Sequence, residues 1–492
     1  MCMTNRLSII IPAYNDGDTL PSVISQCQAL CPYEIIIVAN GCTDNTEQIA
    51  LNYHCKLISD PEPLGHDVGR AVGAANASGD VLLFLDADIS IPSQQLQKFL
   101  EPIYTNQAEV VLNHIPLKPN SVHPVVIWKR VFNALMGEQH FGLDTLTAVP
   151  IALTRYALNQ IGIESMMNPG IATLKTFKSN LPISNSYQID LSKNKSRIGH
   201  QKTGTNLSFM QKVIIGDYVE GLSLLQLPNL DDHSGPKKIE MLNNAIGETL
   251  TPQLNQITPI ANYDEKTLSV VMTLQQKVFR LHSKFKCLAK LPAHELIVVM
   301  NSDLAEEKRI AKEYGAKIIT VNDPLVYEAY QAIGAKAAQG DIILTINGTS
   351  SFKYKEICDY IERIANGADL VLTKNNLKRS ISLLLALQYA FNLAVDRKDL
   401  GASSLLSKHT AMSRKGLNII GWESLHCPPL AQLKGILNGL SIVTSSKCVS
   451  NGKDDKDIDL HMKDYLVALQ YLIKEKGPRG LFANDGRKRN KV

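Results

Sequence analysis

The sequence predicts an α/β protein in which one domain, a mixed, mainly parallel sheet flanked by helices, occurs twice in tandem. Short apolar segments alternate with amphipathic ones in both halves, which is typical of parallel sheets. Segments of the first half also recur in order in the second, residues 7–11 (LSIII) as 268–272 (LSVVM) and 34–38 (EIIIV) as 295–299 (ELIVV). A copied domain explains these matches better than a short solenoid repeat. The predicted boundaries are a first domain at 1–247, a linker at 248–265 and a second domain at 266–492.

In the first copy, apolar runs predict strands, and the segments of helical period between them predict helices. The continuous apolar run at the start fits a central strand that is buried on both faces. In chain order, the predicted strands are 7–12, 35–39, 56–59 and 81–85, and the predicted helices are 18–27, 44–53, 69–77, 125–136, 155–161, 168–180 and 211–225. Ligands of such sheets gather at the carboxyl ends of the strands, so the residues that follow strands are the first candidates for a site.

Composition and charge exclude several classes of protein. The chain has 492 residues, of which 45% are hydrophobic and 20% charged, and a net charge of +4 is too small to indicate a nucleic-acid partner. The nine cysteines lack metal-ligand spacing and the sequence starts without a signal peptide, so we expect a cytoplasmic protein with reduced thiols. The apolar run 381–395 is too short to span a bilayer comfortably and predicts a buried helix. The basic tail 486–491 predicts a frayed, solubilising end. Its charge also allows peripheral contact with anionic lipid at the inner membrane surface.

Two aspartates follow the fourth predicted strand of the first copy. Asp86 and Asp88 stand two residues apart, so in an extended chain both carboxylates point the same way. Two convergent carboxylates suit a hard divalent cation, which in turn can hold a diphosphate. The second copy keeps the apolar run but has Asn347 and Thr349 at these positions. The contrast predicts one domain with a metal site, bound to Mn²⁺ or Mg²⁺, and one degenerate copy without it.

Three further segments accompany these aspartates: residues 8–16 (SIIIPAYND), 38–46 (VANGCTDNT) and 65–80 (GHDVGRAVGAANASGD). Together with the strand that ends in Asp-Ala-Asp, the first copy resembles the family 2 glycosyltransferases with the glycosyltransferase-A fold. The resemblance implies two tandem glycosyltransferase-A domains, the second non-catalytic. It also implies metal-dependent transfer of a sugar from a nucleotide-diphosphate sugar to the hydroxyl of a glycan, a lipid-linked or a small-molecule acceptor, as in cell-envelope or exopolysaccharide synthesis.

The resemblance implies a role in donor binding for each matching residue. Pro12, Ala13 and Tyr14 border the nucleoside, Asn40 and Asp44 line the base and ribose pocket, Gly69 allows close backbone approach, Arg70 reaches the nucleotide, Asp86 lies near the ribose, and Asp88 binds the metal. Members of the family often have an aspartate at the position of Ala39, so the identity of the base stays open.

Two functional groups are harder to place. His200 is predicted to complete the metal site, since neutral imidazole is an acceptable ligand for Mn²⁺, and Arg197 with Lys193 and Lys195 to neutralise the leaving diphosphate. The alternative is a basic loop without such a role. Asn168 and Pro169 stand where inverting relatives have Glu-Asp, and neither can take a proton. Asp144 is therefore the candidate base, and a reaction without a side-chain base is the alternative.

Two other interpretations of the whole chain stay open. The chain could be a nucleotide-sugar-binding pseudoenzyme that acts as a scaffold, or a nucleotidyltransferase. The second ranks last because residues 12–18 are acidic, whereas a nucleotidyltransferase needs a glycine-rich phosphate loop with a basic residue there. The second domain could also pair two chains in a homo-oligomer. The sequence names neither the sugar nor the acceptor.

Overall fold

The computed structural model describes residues 6–191, 206–225, 236–250, 266–322, 326–375, 377, 381–449, 457–483 and 486–492. The chain divides into two compact units. Unit 1 comprises Met1–Leu225 together with Lys476–Val492, and unit 2 comprises Gln226–Glu475.

Unit 1 is a seven-stranded mixed sheet with helices on its faces. Its strands are β1 (Leu7–Ala13), β2 (Glu34–Asn40), β3 (Lys56–Asp60), β4 (Val81–Phe84), β5 (Val110–Leu112), β6 (Ile151–Thr154) and β7 (Ile183–Ser184), in the order β3-β2-β1-β4-β6-β5-β7. Its helices are α1 (Leu20–Gln28), α2 (Thr46–Asn52), α3 (Val68–Asn76), α4 (Ser93–Tyr104), α5 (Pro124–Leu135), α6 (Arg155–Ile161), α7 (Pro169–Lys178) and α8 (Phe209–Ser223). The predicted strands and helices are confirmed, with ends that differ by a few residues.

The central strands are buried on both faces, as their apolar runs predict. In β1, Ile9, Ile10 and Ile11 have no exposed surface, and they alternate between two clusters of the core on opposite faces of the sheet. Strands β1, β2, β3 and β4 are parallel, and only β6 runs antiparallel to its neighbours. The carboxyl ends of β1, β2, β4 and β5 therefore lie at one edge of the sheet.

Unit 2 repeats this architecture with eight strands. They are β8 (Ile246–Leu250), β9 (Leu268–Leu274), β10 (Glu295–Asn301), β11 (Lys317–Val321), β12 (Ile342–Asn347), β13 (Leu370–Asn375), β14 (His409–Ser413) and β15 (Ile442–Val449), in the order β15-β13-β14-β12-β9-β10-β11-β8. Its helices are α9 (Pro236–Asn244), α10 (Leu281–Leu288), α11 (Ala305–Glu313), α12 (Tyr327–Ala337), α13 (Tyr354–Ala365), α14 (Leu383–Ala394), α15 (Arg414–Ile420), α16 (Pro428–Leu437) and α17 (Ile458–Lys476).

The repeat extends to individual hydrogen bonds. In unit 1 the Ser8 hydroxyl donates to Glu34 at 2.7 Å and accepts from the Gly79 amide at 2.8 Å. In unit 2, Ser269 makes the same pair of contacts, to Glu295 at 2.6 Å and from Gly340 at 2.7 Å. The glycine that precedes β4 and the one that precedes β12 thus have a structural role, which agrees with their retention in both copies.

Helices α3 and α12 each have a glycine where they pack closely on a strand. A Cβ atom at Gly73 would lie 2.4 Å from a methyl group of Ile10, and one at Gly334 would lie 2.2 Å from a methyl group of Val271. Both distances are far below contact distance, so each helix needs glycine there to approach its sheet. This explains why these glycines persist in the degenerate copy.

The units differ from the predicted boundaries of 1–247, 248–265 and 266–492 in two places. Helix α9 and strand β8, predicted as the end of the first domain and the start of the linker, lie in unit 2, where β8 pairs antiparallel with β11. The last residues, predicted to belong to the second domain, lie in unit 1.

The basic tail is bound rather than frayed. Arg487 has a side chain that is only 2% exposed, and its guanidinium donates to both carboxylate oxygens of Asp217 at 2.7 and 2.8 Å. Arg479 and Arg489 both bind Glu220 on the same helix, α8. Sequence inspection treats a run of charges as solvated because the acidic partners are more than 250 residues away.

The apolar run 381–395 forms helix α14 and is largely buried, as predicted. In the described parts of the chain, no helix combines the length and apolarity needed to cross a membrane.

Candidate functional site

The predicted donor-binding residues of unit 1 meet at the carboxyl edge of the sheet. Strand β1 ends at Ala13, which pairs in register with Ala39 of β2, and Ile10 pairs with Phe84 of β4. The loops that follow these three strands therefore start side by side. Pro12 lies near the end of β1, Tyr14 on the loop that follows it and Asn40 at the end of β2, so the residues predicted to border the nucleoside share one edge.

Asp44 and Asn15 tie the first loop to the second. The Asp44 carboxylate accepts from the Gly17 amide and the Thr46 amide, each at 3.0 Å. Asn15, with a left-handed backbone φ of 56°, accepts from the Thr43 amide at 2.7 Å. Hydrogen bonds from Thr46 and Gly17 hold the pKa of Asp44 below its usual range. Asp44 therefore shapes the pocket while its carboxylate stays ionised.

Asn40 fixes a third loop, residues 60–67. Its side-chain oxygen accepts from the Leu64 amide, and its amide nitrogen donates to the Gly65 carbonyl at 3.5 Å. This loop leads into α3, which carries Gly69 and Arg70. A Cβ atom at Gly69 would lie 3.0 Å from the Pro12 side chain, so the helix packs closely against the end of β1.

Asp86 and Asp88 lie just beyond the end of β4, and Asp88 is part of a turn. Both side chains are partly exposed, whereas Leu85, Ala87 and Ile89 are buried. This alternation places the two carboxylates together at the surface of the edge.

A third carboxylate, Asp16, faces the same place and was not among the predicted site residues. Burial raises the pKa of Asp16, and the negative charges of Asp88, Asp44 and Asp86 raise it further. Mutual repulsion of this kind is relieved by a bound cation. The signal available in the sequence is the aspartate two residues after Tyr14, at the end of the first motif.

The carboxylates suit a divalent cation that takes some of its ligands from the protein and the others from a substrate. Among the described residues, no group of three or more His, Cys, Asp or Glu side chains is arranged to hold a metal alone. Mg²⁺ and Mn²⁺ commonly bind one or two carboxylates and complete their shell with phosphate oxygens and water. The predicted third ligand His200, and Arg197 beside it, lie outside the described residues.

Arg70 is directed at the carboxylates. Its side chain is buried, and its guanidinium lies 3.1 Å from Asp67 and 3.3 Å from Asp86. Burial lowers the pKa of Arg70, but the two aspartates outweigh that effect and raise it above its usual range. Tyr14, by contrast, is 56% exposed at the mouth of the site, as suits a side chain that borders a ligand.

Asp144 lies on the other side of β4, and it is fully buried. Its Oδ1 accepts from the Ile115 amide at 2.7 Å, and its Oδ2 lies 2.8 Å from the Asn185 amide nitrogen and 3.0 Å from Nδ1 of His114. A carboxylate with both oxygens occupied and no exposed surface is poorly placed to take a proton from a substrate itself. His114 is 44% exposed and stands between Asp144 and solvent.

His114 follows β5 at the same edge as the aspartates. Leu112 and Phe84 both pair with Ile151 of β6, so His114 and Asp86, each two residues further on, lie at the same level. Two strand spacings separate them, roughly 10 Å. An ionised carboxylate only accepts, so Nδ1 of His114 is the donor in this hydrogen bond, and in the neutral imidazole the lone pair is then on Nε2. Sequence reasoning found Asp144 but missed this partner, which is 30 residues away in the chain.

Asn168 and Pro169 are the N-cap and first turn of α7. The Asn168 oxygen accepts from the amides of Gly170 and Ile171 at 2.9 and 3.1 Å, and its amide donates to Glu220 at 2.7 Å. The pair therefore starts helix α7.

The corresponding edge of unit 2 carries different residues. Asn347 accepts from the amide and hydroxyl of Thr349 at 2.9 and 2.7 Å, forming a local turn. Tyr330 takes the place of Gly69 and is buried in the core, and Gln331 takes the place of Arg70. Asp144 becomes Ser403 and His114 becomes Lys374. The residues predicted to face a ligand in unit 1 thus differ together in unit 2.

Comparison with known proteins gives a consistent result. Residues 8–140 match the family model described as glycosyl transferase family 2. The glycosyltransferase AglE of Haloferax volcanii is 31% identical over 121 residues, which cover 22% of this chain and 40% of that protein. The undecaprenyl-phosphate 4-deoxy-4-formamido-L-arabinose transferase of Yersinia enterocolitica is 31% identical over 106 residues, covering 19% of this chain and 32% of that one.

Among solved structures, the chain is similar to the crystal structure of glucosyl-3-phosphoglycerate synthase from Mycobacterium tuberculosis in complex with Mn²⁺, UDP and phosphoglyceric acid. The match has 20% identity and a TM-score of 0.35, and covers 50% of this chain and 83% of that one. The chain spans well under half the length of the curated relatives that it matches.

Proposed function

We propose that the protein transfers a sugar from a nucleotide-diphosphate sugar to an acceptor hydroxyl at the carboxyl edge of the unit 1 sheet, since residues 8–140 match the model of glycosyl transferase family 2. One observation carries the proposal. The edge of unit 1 presents Asp86 and Asp88 with Asp16 beside them, whereas the positions of unit 2 that match Asp86 and Asp88 are Asn347 and Thr349. Unit 2 is then a non-catalytic partner of a catalytic domain.

On the donor side, Asp88 and Asp86 would hold a divalent cation, Mn²⁺ or Mg²⁺. When bound, such an ion neutralises the diphosphate as it leaves. Asp44 and Asn40 hold the loops around the nucleoside through the hydrogen bonds described above, and Tyr14 borders the mouth. Ala39 is buried within β2 and offers no polar group to a base, so the edge of the base must be read by backbone groups of the surrounding loops.

On the acceptor side, we propose that Asp144 acts through His114. The carboxylate fixes the tautomer of the imidazole, and Nε2 takes the proton of the attacking hydroxyl. The separation of roughly 10 Å between the strands that carry His114 and Asp86 leaves room for a sugar between the two groups.

The name of one relative suggests a class of acceptor to test. One of them is named for transfer to undecaprenyl phosphate. A lipid-linked acceptor is therefore a reasonable first class to test, at a membrane surface that the protein would visit peripherally. A hydroxyl on such a lipid-linked glycan requires a base, whereas a lipid phosphate does not, because it is already ionised. The His114–Asp144 pair favours the hydroxyl.

The proposal is tested with a panel of nucleotide sugars and Mn²⁺, followed by mass spectrometry of nucleoside diphosphate release with and without a lipid extract. We expect release from one donor, and its loss in Asp88→Asn. The matched control is Asp80→Asn, the same change at the other end of β4, where the carboxylate binds Arg6 at the surface. Binding of a donor without release would favour the scaffold interpretation, and activity that survives Asp88→Asn would contradict the assignment.

A further inference from the structure

The C-terminal segment, residues 477–483 and 486–492, packs on the donor side of unit 1. It is anchored through Arg479, which is buried, donates to Asp217 and Glu220 of α8, and reaches the Val213 carbonyl at 3.0 Å. Phe482 is buried beside it. The segment follows helix α17 and is separated from the motifs of the donor site by some 400 residues of sequence.

From this anchor the segment runs along the loop 60–67, which we call the donor loop. The Lys488 amide donates to the Leu64 carbonyl at 2.8 Å, and its side chain binds Glu62. Lys491 lies 3.0 Å from Asp60. The contacts recur along the whole loop, so the segment lies against it as a second layer.

The backbone contact at Gly65 is especially close. Gly65 has a φ of +88°, and a Cβ atom there would lie 2.7 Å from the Gly486 carbonyl oxygen and 2.9 Å from the Arg487 Cα. On the inner side, the Asn40 side chain binds the same two residues, Leu64 and Gly65. The donor loop is therefore held between β2 and the C-terminal segment.

Arg487 links this packing to the aspartates of the site. Its guanidinium, paired with Asp217, also lies 3.6 Å from Asp67. Asp67 in turn lies 3.1 Å from Arg70, and Arg70 lies 3.3 Å from Asp86. Side chains of opposite charge therefore alternate from Asp217 of α8 through Arg487, Asp67 and Arg70 to Asp86, next to the proposed metal site. Asp67 has a left-handed φ of 63°, a conformation that its neighbours must hold in place.

We infer that Arg487 is a positioning residue for the donor site, and that the C-terminal segment is a working part of that site. Arg487 holds Asp67, Asp67 orients Arg70, and Arg70 orients Asp86. The inference rests on the proposed function for its ligand, a nucleoside diphosphate with a divalent cation, but the packing itself is tested without ligand.

The experiment uses the full chain and three variants. Arg487→Ala removes the link, Arg487→Lys keeps the charge but loses the two-pronged contact with Asp217, and Arg309→Ala is the control. Arg309 is an exposed arginine of α11, also paired with two carboxylates, and lies in unit 2. Two quantities are measured: hydrogen exchange of the ligand-free proteins, and Mn²⁺-dependent binding of UDP, GDP, CDP and dTDP by calorimetry.

We expect Arg487→Ala to speed exchange in residues 60–70 and 486–491 while β9 and β10 keep their rates. The affinity of the bound nucleotide should fall about 10- to 100-fold, the usual effect of removing a partner that orients a metal ligand. Arg487→Lys should lie between, and Arg309→Ala should match the wild type. If Arg487→Ala does not fold, Asp67→Asn breaks the same link while Arg487 stays paired with Asp217.

Unchanged exchange in residues 60–70 together with unchanged affinity would overturn the inference. Exchange that rises equally throughout unit 1 would also overturn it, because the segment would then serve general stability only. If the wild type binds none of the four nucleotides, the proposed function fails, and the local exchange pattern still decides whether Arg487 orders the donor loop.

Discussion

Substitutions of Asp144 and His114 are predicted to have different effects on stability but the same effect on activity. In Asp144→Asn one oxygen is retained, which can still accept from the Ile115 amide. The new NH₂ group then faces His114 and Asn185, which donate to Oδ2 in the wild type at 3.0 and 2.8 Å. Hydrogen bonds to a charged group contribute about 1.5–3 kcal/mol each. Two are lost, and half-exposed His114 can relax toward water, so we expect a loss of about 2–4 kcal/mol in the free energy of unfolding.

The matched variant is His114→Asn. Its amide nitrogen can take the place of Nδ1 and still donate to Asp144, but it cannot accept a proton. We therefore expect a change in the free energy of unfolding within about 1 kcal/mol. Loss of a general base typically lowers the rate about 10²- to 10⁴-fold, and we expect both variants to show that loss in kcat with donor affinity unchanged.

The assays are urea unfolding, calorimetric donor binding, and nucleoside diphosphate release from the donor identified by the panel. The double variant should be no slower than either single variant, because the two residues act as one unit. If His114→Asn keeps wild-type kcat while Asp144→Asn only unfolds more easily, Asp144 is a structural residue and the acceptor needs no base from this pair.

Two further predictions concern stability. Gly73→Ala should cost about 1–3 kcal/mol in urea unfolding, because its Cβ would lie 2.4 Å from Ile10, and an unchanged midpoint would show that α3 can move away from the sheet. Burial lowers the pKa of His409 in β14 to about 4. Because this folded-state value lies below that of the unfolded chain, about 6.5, the contribution of His409 is complete above pH 6.5 and is lost as the pH falls toward 4. The protection factors of the β14 amides, which are corrected for the intrinsic pH dependence of exchange, should therefore fall over that range in the wild type and fall less in His409→Asn, and equal slopes would contradict the assignment.

Most of the first sheet could be predicted because its signals are local. The apolar runs of β1, β2 and β4 and the glycines of α3 determine which segments pack, and each predicted element formed within a few residues of its expected bounds. The Asp86–Asp88 spacing likewise places two carboxylates on one side without any knowledge of the rest of the chain.

The features that could not be predicted depend on partners distant in sequence. In the sequence, Arg479 and Arg487 resemble solvated charges, because their partner Asp217 is distant along the chain. The sequence therefore assigns the last residues to the second domain, whereas they belong to unit 1. Asp144 looks like a base until the turn after β5 places His114 and Ile115 against it. The sequence of strand β8 contains no apolar run that would predict a strand. Its pairing with β11 identifies it as the edge strand of the second sheet.

The central claim is that the chain has one donor site, formed by unit 1. The most direct test is the stoichiometry of nucleoside diphosphate binding with Mn²⁺, measured by calorimetry on the wild type, Asp88→Asn and Asn347→Asp. The account predicts one site in the wild type, none in Asp88→Asn and still one in Asn347→Asp, because buried Tyr330 and Gln331 replace Gly69 and Arg70 in the second repeat. Two sites per wild-type chain, or one site that persists in Asp88→Asn, would contradict it.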